Sequence, residues 1–514
     1  MEVKQLLKTN KEKLKKLEGI FNKKPSLTLA KKIVELLMSG VFGVYYNEII
    51  ESFYRKRALK NKVLIDNYKS ITPIEKSILH VATKVYKTGG HTRVIERWLD
   101  VSDASEKHSV ILLKQTNLKR VPVKLKKLVA KKNGELKILQ SSKSINSKAN
   151  ELRNLALNYG TIVLHHHPDD PVPLMAFSAK EFKRPVICFN HSGHTFWLGN
   201  SIVDFCIDIE KNQNICTISK RGIENTSIID MPTDEYLSKK VKKSTIFNLS
   251  KELNIPKDSL LLVSMASMYK YTPIAGFNFI NAIREILNKN ETTAFIGIGI
   301  TNTTDDWKNL VAEFKNRVFL LGHVNYDKIS NYLSNAHLYL DSFPYNSWVS
   351  LLDAIRIGKC ACLVLETPVG YPNFIDNTFT LCTTVDELIS KSSILLKSKE
   401  KREEVFKELN TQFLEKCSKN FFKNQIETII SQVNLLEKNT IKRVSLSEKI
   451  TKFDEFNYIF RNTLSTKITG KKNIFQIKKE KQALLRKIEV IIFGISVTIF
   501  KKDLLKSIIE KTKK

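Results

Sequence analysis

From about residue 77 to residue 396 the chain alternates short runs of apolar, often β-branched residues with longer segments whose apolar residues recur every three or four positions. The short runs suit strands buried on both faces, and the longer spacing suits helices lying on a sheet. Strand and helix in repeated alternation leave few folds open. The strands must run parallel, with helices covering both faces. The first unit is Ser77-Ile-Leu-His-Val-Ala-Thr-Lys-Val-Tyr86, the turn Thr88-Gly89-Gly90-His91-Thr92 and a helix from Arg93 to Leu99. Strands follow at Ser109 to Leu113, Thr161 to Leu164, Arg184 to Phe189 and Phe205 to Ile209, with Asn214 to Ser219 continuing the series and a helix from Ser144 to Asn158.

The pattern resumes after Asp230-Met-Pro-Thr-Asp234 and the lysine-rich Lys239 to Lys243, a change of texture that sets a domain boundary near 245. Strands are expected at Leu260 to Ser264, Thr293 to Gly297, Arg317 to Leu321, Leu338 to Asp341 and Cys360 to Val364. Helices are expected at Pro273 to Asn288, Tyr326 to Asn335, Val349 to Ile357 and Val385 to Leu396. A length of 514 residues exceeds what one core supports. The expected architecture is α/β: two doubly wound, Rossmann-like domains with a deep interdomain cleft. They span 76–245 and 246–435, after a helical basic extension over 1–75 and before a basic tail over 436–514.

Composition narrows the function classes. Hydrophobic residues at 42% and aromatics at 9% exclude global disorder. Seven scattered cysteines with no CxxC exclude a disulfide framework and argue against structural zinc, so a reducing cytosol is the default. The net charge is +32. Residues 1–80 hold 17 basic against 8 acidic side chains, and residues 441–514 hold 19 against 7, so most of the excess lies at the ends. Such ends attract polyanions or anionic lipid, or simply keep the chain soluble. Met1 to Lys16 is polar, so no secretory signal is expected. Ile33 to Ile50 is broken by Glu35, Asn47 and Glu48 and reads as a packed helix. Val490 to Phe500 is apolar but only 11 residues long, where a spanning helix needs about 20. Flanked by Arg486, Lys487, Lys501 and Lys502, it suits either an anionic membrane surface or a buried terminal element.

There is no GxxxxGK[ST], and no GxGxxG follows the first strand; Gly297-x-Gly299 reads as a strand-end turn. Gly89-Gly90-His91 is placed where backbone can approach an anion at a helix start, or is a plain tight turn. Seven of the ten histidines lie between 91 and 194. His108 stands at the start of a strand, the wrong end for a site, and is set aside. His165-His166-His167-Pro168-Asp169-Asp170 and Asn190-His191-Ser192-Gly193-His194 follow strands, and carboxyl ends of parallel strands form the ligand crevice. A metal site, acid–base or substrate contacts, and loop capping all remain open for them, with three consecutive histidines in a loop poorly suited to one ion. In the second half, Lys270 follows a strand and stands beside an expected helix start, which suits a diphosphate. The loop Asn346-Ser347-Trp348-Val349-Ser350 again joins strand to helix. Its backbone N–H groups could hold phosphate, and Asp353 one turn later could hold ribose hydroxyls; an ordinary strand–helix turn is the alternative.

The second half resembles the donor domain of two-domain (GT-B fold) glycosyltransferases, and in particular the O-GlcNAc transferase group and bacterial relatives that glycosylate asparagine in the cytosol. Tyr269-Lys270-Tyr271-Thr272-Pro273 resembles the group's Tyr-Lys-x-x-Pro element. Leu340-Asp341 followed by Asn346-Ser347-Trp348-Val349-Ser350-Leu351-Leu352-Asp353 keeps the spacing of its Leu-Asp, loop, Asn-Gly-His-Thr-Thr-x-x-Asp element, with Ser347, Trp348 and Val349 as departures. Arg317 to His323 resembles the strand between them. The likeness covers roughly 245–400. No tetratricopeptide pattern is found at the N-terminus.

The resemblance implies a glycosyltransferase that needs no metal or other cofactor. Lys270 would hold the donor diphosphate, the 347–350 backbone would assist, and Asp353 would hold the ribose, with UDP preferred to GDP. A base in the first domain would take the acceptor proton: His91 or His167, with Gly89, Gly90, His165, His191 and His194 lining the acceptor side. No closely spaced glutamate accompanies Asp353, the next acid being Glu366, so inversion is expected. The expected partners are a nucleotide-sugar and a cell-surface glycan or lipid-linked acceptor of bacterial type, with basic ends docked on an anionic membrane surface and no nucleic acid. The location is then cytoplasmic, at the inner face of the membrane. A protein N- or O-glycosyltransferase, a sugar-nucleotide epimerase and a non-enzymatic polyanion-binding protein are the alternatives.

Overall fold

The computed structural model describes residues 3–60, 71–86, 90–139, 143–232, 252–256, 258–274, 276–376, 379–436 and 445–459. Gly89, the lysine-rich segment 239–243, the boundary near 245 and the apolar stretch 490–500 lie outside the described residues.

Among the described residues thirteen strands form two wholly parallel sheets. The first holds β1 (Ile74–Ala82), β2 (Lys107–Leu112), β3 (Leu136–Ile138), β4 (Tyr159–His165), β5 (Val186–Phe189), β6 (Phe205–Asp208) and β7 (Thr226–Ile228), in the order β3-β2-β1-β4-β5-β6-β7. The second holds β8 (Leu260–Met265), β9 (Thr293–Ile298), β10 (Val318–Gly322), β11 (Leu338–Leu340), β12 (Ala361–Leu365) and β13 (Leu381–Cys382), in the order β10-β9-β8-β11-β12-β13. β5, β6, β9 and β12 are buried along their whole length, which is why their sequences are continuous apolar runs rather than alternating ones. The strand order reverses between β1 and β4 in one sheet and between β8 and β11 in the other. A doubly wound sheet opens its crevice at that point, and both crevices are built from loops at carboxyl ends of strands.

Two elements differ from their sequence reading. Asn214 to Ser219 is not a strand but the middle of the helix Lys211–Arg221, stopped by Gly222 at φ 70°. The helix expected from Pro273 begins only at Phe279. Gly276, at φ 88°, turns the chain so that Ile274 and Phe277 bridge each other, and Asn278 then caps the helix by accepting the Asn281 N–H at 3.1 Å.

The helices Val3–Lys23, Leu27–Met38 and Glu48–Lys60 form a layer of the first domain. Leu7, Leu14, Phe21, Ile33, Leu37 and Tyr54 share one core with Leu79, Ile162 and Met175. Ile33 to Ile50 is thus divided between two packed helices. The Glu51 carboxylate, fully buried, accepts N–H groups of Gly199, Asn200 and Ser201 at 2.8–2.9 Å. At the other end, the helix Lys419–Asn434 leaves the second domain and lays Phe422, Ile426, Ile429 and Val433 against Ile78, Trp98, Ile187 and Phe205 of the first. Each such burial is worth about 1.5–3 kcal/mol. Residues 445–459 lie against both domains: Ser447 donates its N–H to the Ser219 carbonyl and Lys220 pairs with Asp454 at 3.4 Å, while Phe453 and Phe456 share a cluster with Ile274 and Val369 of the second domain. No helix among the described residues is long and apolar enough to cross a membrane.

Candidate functional site

The two crevices face each other across a cavity of about 850 Å³. Gly90, Arg93, Arg97 and His191 line it from the first domain; Ser267, Lys270, Gly299, His323 and the 347–350 loop line it from the second. No acidic side chain is among the described residues that line it. Arg93 and Arg97 carry no signature in the sequence beyond their place at a helix start, and His323 ends the stretch Arg317 to His323 that resembles the family strand.

On the second-domain side, Lys270 sits on a single 3-10 turn, Met268–Tyr271, directly after β8. The sequence placed it beside a helix N-terminus; the helix starts nine residues later, and the lysine instead reaches across to the next loop. Its Nζ donates to the Asn346 carbonyl at 2.6 Å and stands 5.9 Å from the Tyr345 ring. Burial lowers its pKa, opposed by the charges of Asp341 and Glu210. Burial also pushes Asp341 up to about 6, against the pull of Lys270 and backbone donors. Asp341 accepts the Ser347 N–H through both oxygens, at 3.1 and 3.0 Å, so that group is committed to holding the loop rather than free for phosphate. Ser347 and Ser350 share an Oγ···Oγ hydrogen bond of 2.9 Å, and the helix Trp348–Asp353 begins between them. Trp348 lines the cavity with its indole Nε1 buried and unpartnered. Asn346 and Asp353 are not on the cavity wall. The Asn346 side chain donates to the Leu365 carbonyl at 3.3 Å, and Asp353 accepts from Arg356 at 3.2 Å. The ribose contact expected of Asp353 is therefore not laid out in this arrangement.

On the first-domain side, the start of the helix Gly90–Val101 and the loops after β4 and β5 gather His91, His167 and His191. His91 stacks on His191 with ring centroids 4.0 Å apart and meets His167 edge-on at 6.1 Å. His91 Nδ1 is buried without a partner, and burial with the neighbouring His167 and His166 lowers its pKa to about 4. His165 lies beneath them, buried in the sheet rather than on the cavity wall. His194 stands apart, edge-on to Tyr345 of the second domain at 6.0 Å. His167 Nε2 lies 3.3 Å from the Tyr86 hydroxyl, and Tyr86 borders a separate recess of about 470 Å³ lined by Lys84, Lys114, Lys119 and Arg120, with no acidic side chain among its described lining.

The sequence reading missed two histidines of this region. His108 was set aside and His80 passed over as a strand residue, yet both are buried beneath the cluster. His80 Nε2 lies 3.0 Å from His108 Nδ1, and His80 Nδ1 lies 3.1 Å from His165 Nε2. Register explains the meeting. His108 pairs with Ile78 and His165 with Ala82, each two positions from His80, so the three rings share one sheet face as diagonal neighbours. Strand parity was the signal that could have found them. Glu210, just past β6, was also missed because an acid at that place reads as a helix cap. Burial raises it to about 8, opposed by the Gln213 hydrogen bond and the Lys270 charge, and its Oε2 has no partner. Among the described residues no group of three or more His, Cys, Asp or Glu side chains is arranged to hold a metal ion.

No family model and no curated protein matches the sequence. Solved structures do match. A glycosyltransferase from Rickettsia africae ESF-5 aligns with a TM-score of 0.54 and 13% identity, over 70% of this chain and 99% of that one. An O-GlcNAc transferase mutant from Thermobaculum terrenum aligns at 0.52 and 11% identity, over 80% of this chain and 79% of that one. At such identities the likeness is one of fold, and the fold is GT-B: two Rossmann-like domains of α/β type facing across a cleft.

Proposed function

We propose that this chain is a glycosyltransferase that moves a sugar from a nucleotide-diphosphate sugar to a hydroxyl acceptor. The observation that carries this reading is the interdomain cavity, lined by Arg93, Arg97, Lys270 and the start of the helix Trp348–Asp353, and free of acidic side chains among its described lining. Cations and backbone N–H groups around a cavity of that size suit a nucleoside diphosphate. Lys270 is fixed by one hydrogen bond to a carbonyl, which leaves two of its N–H donors for phosphate oxygens. Trp348 offers an unpartnered indole N–H to the sugar or base.

In the reaction, a neutral imidazole of the His91–His191 stack takes the acceptor proton. The acceptor oxygen bonds the anomeric carbon from the face opposite the leaving group, and the sugar–phosphate bond breaks with its electron pair left on the diphosphate. Lys270 and the N–H groups at 348–350 stabilise that charge in a site already shaped for it. UDP is the donor nucleotide to test first. The basic recess beside Tyr86 and His167 supports an anionic acceptor, such as a phosphorylated or lipid-linked surface glycan. Contact with an anionic membrane would involve the basic tail beyond 459.

Thermal shift against UDP, GDP, CMP and ADP, with and without Mg²⁺, tests the donor pocket. Wild type should be stabilised by one nucleotide, UDP by this reading, and Lys270→Ala should lose the shift while remaining folded. No shift with any nucleotide in a well-folded sample would sink the transferase reading and favour a polyanion-binding role.

A further inference from the structure

The buried histidines form a continuous hydrogen-bonded chain through the first sheet. It runs from the Glu106 carboxylate to His108 Nε2 at 3.4 Å, from His108 Nδ1 to His80 Nε2 at 3.0 Å, from His80 Nδ1 to His165 Nε2 at 3.1 Å, and from His165 Nδ1 to His191 Nε2 at 3.1 Å. One end, Glu106, keeps 24% of its side chain exposed; the other, His191, lines the interdomain cavity. Trp98 edge-on to His80 and Phe189 against His165 and His191 wall the chain with apolar surface. Burial lowers the pKa of all four imidazoles, so each is neutral and carries one N–H.

We infer that Glu106, His108, His80, His165 and His191 form a relay that fixes the tautomer of His191 and carries the acceptor proton away from the cleft. The direction follows from the chemistry of the end group. A carboxylate only accepts, so His108 donates through Nε2 and accepts at Nδ1. The same assignment then propagates: His80, His165 and His191 each hold hydrogen at Nε2. His191 is left with a bare Nδ1 as the base facing the cavity.

This step rests on the transferase reading. The acceptor O–H breaks, and its proton goes to His191 Nδ1. The Nε2 proton of His191 moves to His165 Nδ1, that of His165 to His80 Nδ1, that of His80 to His108 Nδ1, and that of His108 to Glu106, whose carboxylic acid then ionises into water. The oxygen's electron pair makes the new glycosidic bond. All four rings end with hydrogen on Nδ1. Once the product leaves, Glu106 takes a proton from water, the transfers run backward, and His191 releases its Nδ1 proton into the hydrated cleft.

The test uses full-length protein with ¹⁵N-labelled histidine rings, in wild type, Glu106→Gln and His80→Phe. Nitrogen shifts and couplings across the N–H···N bonds should report Nε2–H tautomers along the wild-type chain. In Glu106→Gln the His191 tautomer should become mixed, because the amide can donate to His108 as well as accept. An unchanged His191 tautomer overturns the coupling whether or not turnover is found. UDP release from UDP-sugars, with water or a simple alcohol as acceptor, reads the transfer. Both variants should lose about 10²-fold in kcat, with the UDP thermal shift and KM held and the solvent isotope effect altered. Wild-type kcat in both variants overturns the relay. A wild type that binds UDP but never turns over overturns the transferase reading and, with it, the proton-carrying step.

Discussion

Glu210 is the residue whose chemistry departs furthest from its sequence appearance. As a carboxyl raised to about 8 by burial, it holds its proton in the folded state at neutral pH, whereas the unfolded chain releases it near 4.5. Its contribution to stability is therefore complete below about pH 4.5 and is lost as pH rises through about 8. Glu210→Gln, neutral at every pH, should match wild type in unfolding free energy near pH 5 and exceed it at pH 9 by on the order of 4 kcal/mol, with a correspondingly higher melting temperature. Parallel melting curves for the two proteins across that range would refute the buried neutral carboxyl. Other single residues were easier to read. The placement of Lys270 and of residues 347–350 beside the cavity was legible because they follow strands, where side-chain chemistry shows through packing. His80 and His108 were harder, because strand parity puts each histidine on a sheet face but the sequence leaves open the register that sets the rings beside one another. Asp353 was legible as a motif position, but the helix turn that carries it points the carboxylate to Arg356.

At the scale of elements, the loops do the positioning and glycines set their limits. Gly299 has φ 82°, and a Cβ there would stand 2.2 Å from the Ala266 carbonyl oxygen, just ahead of the turn that carries Lys270. Backbone cannot yield as a flexible side chain does. Gly299→Ala should cost about 2–4 kcal/mol and remove the UDP thermal shift, while a substitution at Gly19, which has open space around it, should do neither. An unaltered melting temperature in Gly299→Ala would contradict the close approach. Most strands were legible from continuous apolar runs. The error at Asn214 to Ser219 has a physical cause: Ile215, Cys216 and Ile218 are too few to show a period, and the deciding signal was the stop at Gly222. The late start of the helix Phe279–Lys289 turned on Gly276 and on the cap at Asn278, both weaker in sequence than Pro273.

At the scale of the molecule, two domains and a cleft were legible because the alternation of strand and helix runs through two series. What covers what was not. The amphipathic spacing of the first sixty residues shows a buried face without naming its partner, and only the packing assigns that face to the first sheet. The same holds for the helix Lys419–Asn434, which belongs to the second domain by sequence order and to the first by contact. Phe422 is fully buried there. Phe422→Ala should destabilise the protein by about 3–5 kcal/mol. Amide exchange should speed up in β1 and β5, strands far from it in sequence. If exchange rose only in the second domain, the assignment of this helix to the first would fail.

That return of the chain also has a consequence for how the protein is made. The last strand of the first sheet ends at Ile228, but the helix that covers one of its faces is complete only at Asn434. At about 5–20 residues per second on a ribosome, the gap of roughly 200 residues lasts on the order of 10–40 seconds. Through that interval Ile78, Trp98, Ile187 and Phe205 have no cover from Phe422, Ile426 and Ile429. Until then that apolar face is open to non-native contacts, and the arrival of the helix Lys419–Asn434 is the event that covers it.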